Sequence, residues 1–214
     1  MKKLLLSTGV FLFSFWVQSQ MVTSGTSLSQ SCDCYTITED LNVQAGGVWS
    51  PNTIDLNNPF DFSFQVYLGA DDVWGADGIV FVLQQGQTNP NNVAQNMGYS
   101  TISPSIGVEI DTWQNAGAPF NDPASDHVTI ISNGDFSSVL APPVNIPNIE
   151  DGAFHTFQVV WDPVLQVLAI TLDGNFISAY NGDIIATVFG GNANVYFGFT
   201  GATGGVNNLQ QMCG

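Results

Sequence analysis

Positive charge is almost missing from this sequence. Of 214 residues only two are Lys or Arg, against 18 Asp and Glu, and both cations sit at the very start, as Lys2 and Lys3. Such a surface repels phosphate backbones and acidic bilayers, which excludes nucleic acid as a partner. It also lacks the cations that clamp sulfated or sialylated sugars. Divalent cations and neutral ligands are the counterparts that remain. Familiar catalytic patterns are missing too: there is no G-x-S-x-G, no H-E-x-x-H and no paired Cys/His arrangement.

Long apolar runs are equally scarce. The one that stands out, Leu4 to Trp16, follows the two lysines and leads into Val17, Gln18, Ser19 and Gln20. Those are the three regions of a secretory signal peptide (1–20), with cleavage near Ser19, and the run is too short to span a bilayer convincingly. The mature chain therefore reads as secreted or displayed at the cell surface, without membrane insertion. Residues 21–33 read as a Ser/Thr/Gln-rich leader and 34–214 as one domain, since about 190 residues suit a single β core. Cysteine is limited to Cys32, Cys34 and Cys213. Export favours a disulfide, and joining the start of the domain to its end would contribute roughly 5 kcal/mol on the loop-entropy model. Cys34 with Cys213 is the favoured pair, but spacing alone does not choose between Cys32 and Cys34.

What is present is β-patterned. Phe60 to Leu68 alternates with period two, as a half-buried strand requires, whereas Gly78 to Gln84 is an unbroken apolar run suited to burial on both faces. Ser105 to Trp113, His127 to Ser132, Phe154 to Pro163 and Leu165 to Gly174 continue in the same style, with turns at Asp162-Pro163 and Asp173-Gly174. Asp183 to Phe189 reads as one or two helical turns behind an acidic cap, and Asn194 to Thr200 as the last clear strand. No closing strand is evident before Cys213, so the chain also reads as a piece of a larger surface protein. The fold class is all-β, an antiparallel sandwich.

The acids gather in VEIDTWQNAGAPFNDPASDHVTI (108–130). Glu109 and Asp111 lie two apart on a strand and share one face, where two carboxylates repel unless a cation or proton separates them. Asn115 adds an uncharged oxygen and Trp113 a backbone carbonyl, while Asp122 and His127 return from a loop stiffened by Pro119 and Pro123. Oxygen ligands suit Ca²⁺, and a mixed carboxylate–imidazole set suits Mn²⁺ or another transition ion. The bland alternative is a solvated strand face. Asp126 has no role in this reading and is expected in solvent.

Glu109-Ile-Asp-Thr-Trp-Gln-Asn115 followed by Asp122-Pro-Ala-Ser-Asp-His127 resembles the metal loop of the legume-type (L-type) lectins, the concanavalin A-like family. Gly75-Ala-Asp-Gly-Ile-Val-Phe-Val82 is similar to that family's A-D-G strand entry, and Phe197-Gly-Phe-Thr-Gly-Ala-Thr-Gly204 to its final core strand. The resemblance implies a jelly-roll sandwich over approximately 34–213. It implies a transition metal on Glu109, Asp111, Asp122 and His127, and calcium on Asp111, the Trp113 carbonyl, Asn115 and Asp122. It further implies a cis Ala76–Asp77 bond and a non-catalytic sugar site of Asp77, Trp113, Asn115, Gln95 and Gly205. Gln95 enters because the family's Gly-rich donor run reads Val93-Ala-Gln-Asn-Met-Gly98 here. The implied partners are neutral hexose-containing glycans, held weakly one sugar at a time and reinforced by multivalency, as in a homo-oligomer, or by an extended glycan.

Two other readings stay open. One is a metal-stabilised structural or adhesion domain without sugar binding. The other is a glycoside hydrolase of the same fold, which needs a third acid in E-x-D-x-x-E or E-x-D-x-E where this chain has Trp113 or Gln114. Asp77 alone is compatible with an ordinary turn residue. His155, Trp49, Trp74 and Trp161 are expected to be structural.

Overall fold

Phe60 to Tyr67 folds as its alternation dictates: Phe64 and Val66 are buried and Phe60 and Phe62 part-buried, while Asp61, Ser63 and Gln65 are exposed. The structure, a computed structural model, describes residues 20–31, 33–87, 89, 90 and 92–214. The signal-peptide reading and Cys32 thus lie outside the described residues, apart from Gln20. In chain order the strands begin with β1 (Val22–Gly25), β2 (Leu28–Ser31), β3 (Cys34–Thr38), β4 (Ala45–Trp49) and β5 (Ile54–Asp55). Next come β6 (Phe60–Tyr67), β7 (Gly78–Gln84), β8 (Ser105–Asp111), β9 (His127–Ser132) and β10 (Asp135–Asn145). The last are β11 (His155–Asp162), β12 (Val167–Leu172), β13 (Asn175–Asn181), β14 (Asn194–Ala202) and β15 (Gln210–Cys213).

They form two antiparallel sheets, the all-β sandwich expected. One runs β1-β4-β14-β7-β8-β9-β10, with β5 beside β14, and the other β13-β12-β11-β6-β15-β3-β2. Between them Phe64 and Phe157 from the second sheet meet Phe81 and Phe199 from the first, with ring centroids 5.0 to 6.3 Å apart. A second core lies on the outer face of the first sheet, where Met97, Tyr99 and Ile102 of the 92–104 segment cover Val80, Val82, Ile131 and Trp49. That cover is why β7 has no polar face: every residue from Gly78 to Gln84 is buried. No helix among the described residues is long and apolar enough to cross a membrane. The only segment assigned as α-helix among them, α1 (Ile184–Thr187), is capped by the Asp183 carboxylate accepting the Ala186 N–H at 3.0 Å.

Several expectations need correction. Residues 22–31, read as a leader, carry β1 and β2, one on each sheet. β15 closes the second sheet between β3 and β6 although no closing strand was legible. The strand begun at Ser105 stops at Asp111, because the chain turns into the acidic loop. Trp49 and Trp161 pack in the core as expected, with Trp161 Nε1 donating to the Leu56 carbonyl at 2.8 Å. Trp74 does not: it is 63% exposed. His155 is a strand residue whose ring nitrogens meet Asp173 at 2.8 Å and Asp151 at 3.2 Å.

Cys34 and Cys213 are register partners on β3 and β15 and form a disulfide, closing a loop across a sequence separation of 179. A loop of that length limits the unfolded chain by about 5 kcal/mol on the entropy model, an upper figure. We expect the Cys34→Ser/Cys213→Ser double variant to lose about 3–5 kcal/mol in a denaturant titration. An unchanged midpoint would show that the bridge constrains nothing the sheets do not already fix.

Candidate functional site

The site starts at the entry to β7. Gly78 has φ +128°, and a Cβ there would lie 2.2 Å from the Ile110 carbonyl, so only glycine allows β7 to approach β8 this closely. Ahead of it the Ala76–Asp77 peptide is cis, as the resemblance implied. The Asp77 N–H donates to Ala202 O at 3.1 Å, its carbonyl accepts the Thr112 N–H at 3.2 Å, and the buried Gln210 amide donates to Ala76 O at 3.1 Å. Two main-chain bonds and one side-chain amide therefore fix the Ala76–Asp77 peptide from three sides. Its side chain is buried, and Oδ2 has no hydrogen-bond partner among the described residues. Burial raises its pKa from 3.8 to about 7.

The β8–β9 register places Asp111 directly opposite His127 and Glu109 opposite Thr129, so all four side chains occupy one face. His127 Nε2 lies 3.9 Å from Asp111 Oδ2 and 3.7 Å from Asp122 Oδ1. One donor atom from each of Asp111, Asp122 and His127 lies within 4.8 Å of the other two. Glu109 stands outside that tight triad but within its field: burial and then the charge of Asp122 raise its pKa, and its Oε1 is unpartnered among the described residues. Burial likewise raises Asp111, with Glu109 and Asp122 adding to the effect, and raises Asp122. His127 is pushed down by burial, which keeps the ring neutral, and its Nδ1 lies 3.3 Å from the Ser125 carbonyl. That contact leaves Nε2 free to face the acids.

The loop after β8 is organised by the same acids. Asp111 Oδ1 accepts the Trp113 N–H at 2.7 Å, and Asp122 Oδ2 accepts the Asn115 N–H at 2.8 Å. The Asp122 N–H returns to Asn115 O at 3.2 Å, and Ala118–Pro119 is cis between them. Asn115 Oδ1 is buried without a partner among the described residues. A cluster of buried carboxylates and a neutral imidazole, with two orphaned oxygens beside it, matches the donor chemistry of a cation site. Asp126, expected in solvent, is instead buried: its Oδ2 accepts the Ile149 N–H at 3.0 Å and holds the 146–150 segment against β9.

Next to the acids is an open cleft of about 360 Å³. Asp77, Gln95, Trp113, Asn115 and Gly205 all line it, together with Ala94, Gly204 and Val206, which sequence reasoning did not single out. Trp113 is half-buried, so it is neither core nor free. A Cβ at Gly204 would sit 3.6 Å from Asp77 Oδ2 and 2.8 Å from Ala94 Cβ, so this glycine keeps the Asp77 carboxylate open to the cleft. Sequence reasoning also missed Glu150. It is buried, and its Oε1 accepts from the Asn208 amide at 2.6 Å.

Two large antiparallel sheets, a cis Ala–Asp entry and an acidic loop beside an open cleft define a sandwich of the legume-lectin class. Comparison with known proteins agrees. The family model of the legume lectin beta-barrel domain matches residues 14–214, and the chain belongs to that family. Among curated proteins it is 28% identical over 224 residues to the "Serine-rich adhesin for platelets" of Staphylococcus aureus (strain MSSA476). That match covers 92% of this chain and 10% of the adhesin, so the chain spans about a tenth of that relative's length. Among solved structures, lectin II from Ulex europaeus superposes with a TM-score of 0.75 at 20% identity, covering 92% of this chain and 91% of the lectin. Peanut lectin gives 0.73 at 22% identity, covering 93% and 90%. The lectin UEA-II, solved in complex with galactose, gives 0.72 at 20%, covering 90% and 89%. At these identities the structural likeness speaks to the fold.

Proposed function

We propose that this is a secreted, non-catalytic lectin domain that binds neutral hexose-containing glycans with the help of Ca²⁺ and a transition ion such as Mn²⁺. One observation carries the reading. The two aspartates of the acidic cluster each hold the backbone of a cleft residue, Asp111 that of Trp113 and Asp122 that of Asn115. Whatever organises the cluster therefore organises the cleft.

The donors divide as their chemistry suggests. Glu109, Asp111, Asp122 and His127 would hold the transition ion, and Asp111, the Trp113 carbonyl, Asn115 and Asp122 the calcium. Bound cations would supply charge compensation for carboxylates that are otherwise buried against one another. The chain's own residues do the recognition. The Asp77 carboxylate and the Asn115 amide accept from and donate to a hydroxyl pair, the Gln95 N–H donates, and the Trp113 indole covers the apolar face of the ring. A third acid is absent where a hydrolase would need one, which supports binding without bond cleavage. The adhesin relative carries the matching segment within a much longer chain, which supports a role as the glycan-reading module of a larger surface protein.

Metal loading provides the test. Ligands must be deprotonated before they bind, and burial holds Glu109, Asp111 and Asp122 toward the protonated form. Adding Ca²⁺ and Mn²⁺ to the chelated chain at pH 7 is expected to release roughly one to two protons per chain, read as buffer-dependent heat in calorimetry. Affinity should rise from pH 6 to pH 8. Metal binding with no proton release would show that the acids are already ionised before loading, and no binding at all would remove the cation site.

A further inference from the structure

A second and larger cleft, about 690 Å³, adjoins the first, and both are walled by Gly205 and Val206. Its most conspicuous feature is Trp74, 63% exposed three residues before Asp77. An exposed indole at the end of a loose loop would mean little, but this turn is built. The Asp71 carboxylate accepts both the Val73 N–H at 3.0 Å and the Trp74 N–H at 2.9 Å. The Asp71 carbonyl in turn accepts from the Asn208 amide at 3.1 Å, and that buried amide also donates to Glu150. On another part of the wall the Asn207 amide donates to Asn42 Oδ1. The turn that presents Trp74 is thus tied to the same 205–208 loop that borders the smaller cleft.

The lining has two aromatic side chains, the exposed Trp74 and the part-buried Tyr67, amides that donate and accept, and the acids Asp40 and Asp71. No Lys or Arg occurs beyond residue 3, so phosphate, sulfate and carboxylate groups find no cation here. A neutral pyranose suits such a surface: its C–H face lies on an indole while its hydroxyls donate to carboxylate and amide oxygens. We propose that this cleft is a second subsite that takes the next sugar ring of the same neutral glycan, with Trp74 as its platform. The proposal rests on the lectin reading of the smaller cleft. Continuity through Gly205 and Val206 lets one oligosaccharide lie across both.

The test uses the metal-loaded mature chain against neutral monosaccharides (galactose, mannose, glucose, N-acetylglucosamine, N-acetylgalactosamine) and neutral di- and trisaccharides ending in each. The wild-type chain is expected to prefer a trisaccharide over its terminal monosaccharide by about tenfold, ~1.4 kcal/mol, in line with one added aromatic–sugar contact. Trp74→Ala should abolish that preference and leave monosaccharide affinity unchanged, and Trp74→Tyr should restore most of it. Equal affinity for both lengths in the wild type, or a preference retained in Trp74→Ala, would overturn the subsite while leaving the lectin reading intact. A wild-type chain that binds no sugar of any length would overturn both.

Discussion

Asp77→Asn is expected to lower glycan affinity by about 100-fold or more, the size expected when a charged acceptor of two hydroxyl protons is lost. Asp77 Oδ2 is buried, has no partner among the described residues and faces the cleft past Gly204. An amide of the same shape turns one of the two acceptor positions into a donor, which cannot receive a hydroxyl proton. The fold should not suffer. The folded-state pKa of Asp77 is raised from 3.8 to about 7, so its stability contribution is present in acid and is lost as pH rises through about 7. Removing the charge therefore leaves the variant at least as stable as the parent at pH 8. Retained glycan binding in a well-folded Asp77→Asn chain would separate Asp77 from recognition.

Metal removal should make stability steeply dependent on pH. Glu109, Asp111 and Asp122 are all raised by burial, Asp77 reaches about 7 and Glu150 about 8. Each is raised above its unfolded value, so the folded chain binds more protons than the unfolded chain between roughly pH 4 and 8, and stability falls as pH rises through that window. At about 1.4 kcal/mol per pKa unit, even a partial contribution from these groups amounts to several kcal/mol. For a domain of this size we expect the chelated chain to melt about 10 °C lower at pH 8 than at pH 5. The melts belong in about 0.3 M salt, where repulsion among surface acids is screened. With both ions present the share that comes from Glu109, Asp111 and Asp122 should vanish, leaving the smaller dependence set by Asp77 and Glu150. A chelated chain equally stable at both pH values would mean that the cluster is not held together against its own charge.

Much of this architecture was legible because it rests on local patterns. The alternation of Phe60–Tyr67 and the unbroken run Gly78–Gln84 report one buried face and two. Asp111 and His127 were legible as a pair through the spacing of the acidic loop and its family likeness, and the β8–β9 register sets them opposite each other. What stayed hidden depends on partners remote in sequence. Strand β2 is entirely exposed and, Leu28 apart, polar, and only its pairing with β3 makes it a strand. Gln210 looks like a surface residue until its amide is seen to reach Ala76 O, 134 positions away. Asp126 and Glu150 are acids whose burial depends on neighbours from other segments, Ile149 for the first and Asn208 for the second. Trp74 fails in the opposite sense, since composition makes an indole look like core and only the Asp71 turn shows it held outward.

The most direct measurement is a neutral-glycan array on the mature chain in three states: as purified, after EDTA, and after Ca²⁺ and Mn²⁺ are restored. Binding to neutral hexose glycans should disappear on chelation and return with the two ions. A folded, metal-loaded chain that stays silent on every glycan, or binds equally well in EDTA, would contradict the metal-dependent lectin reading.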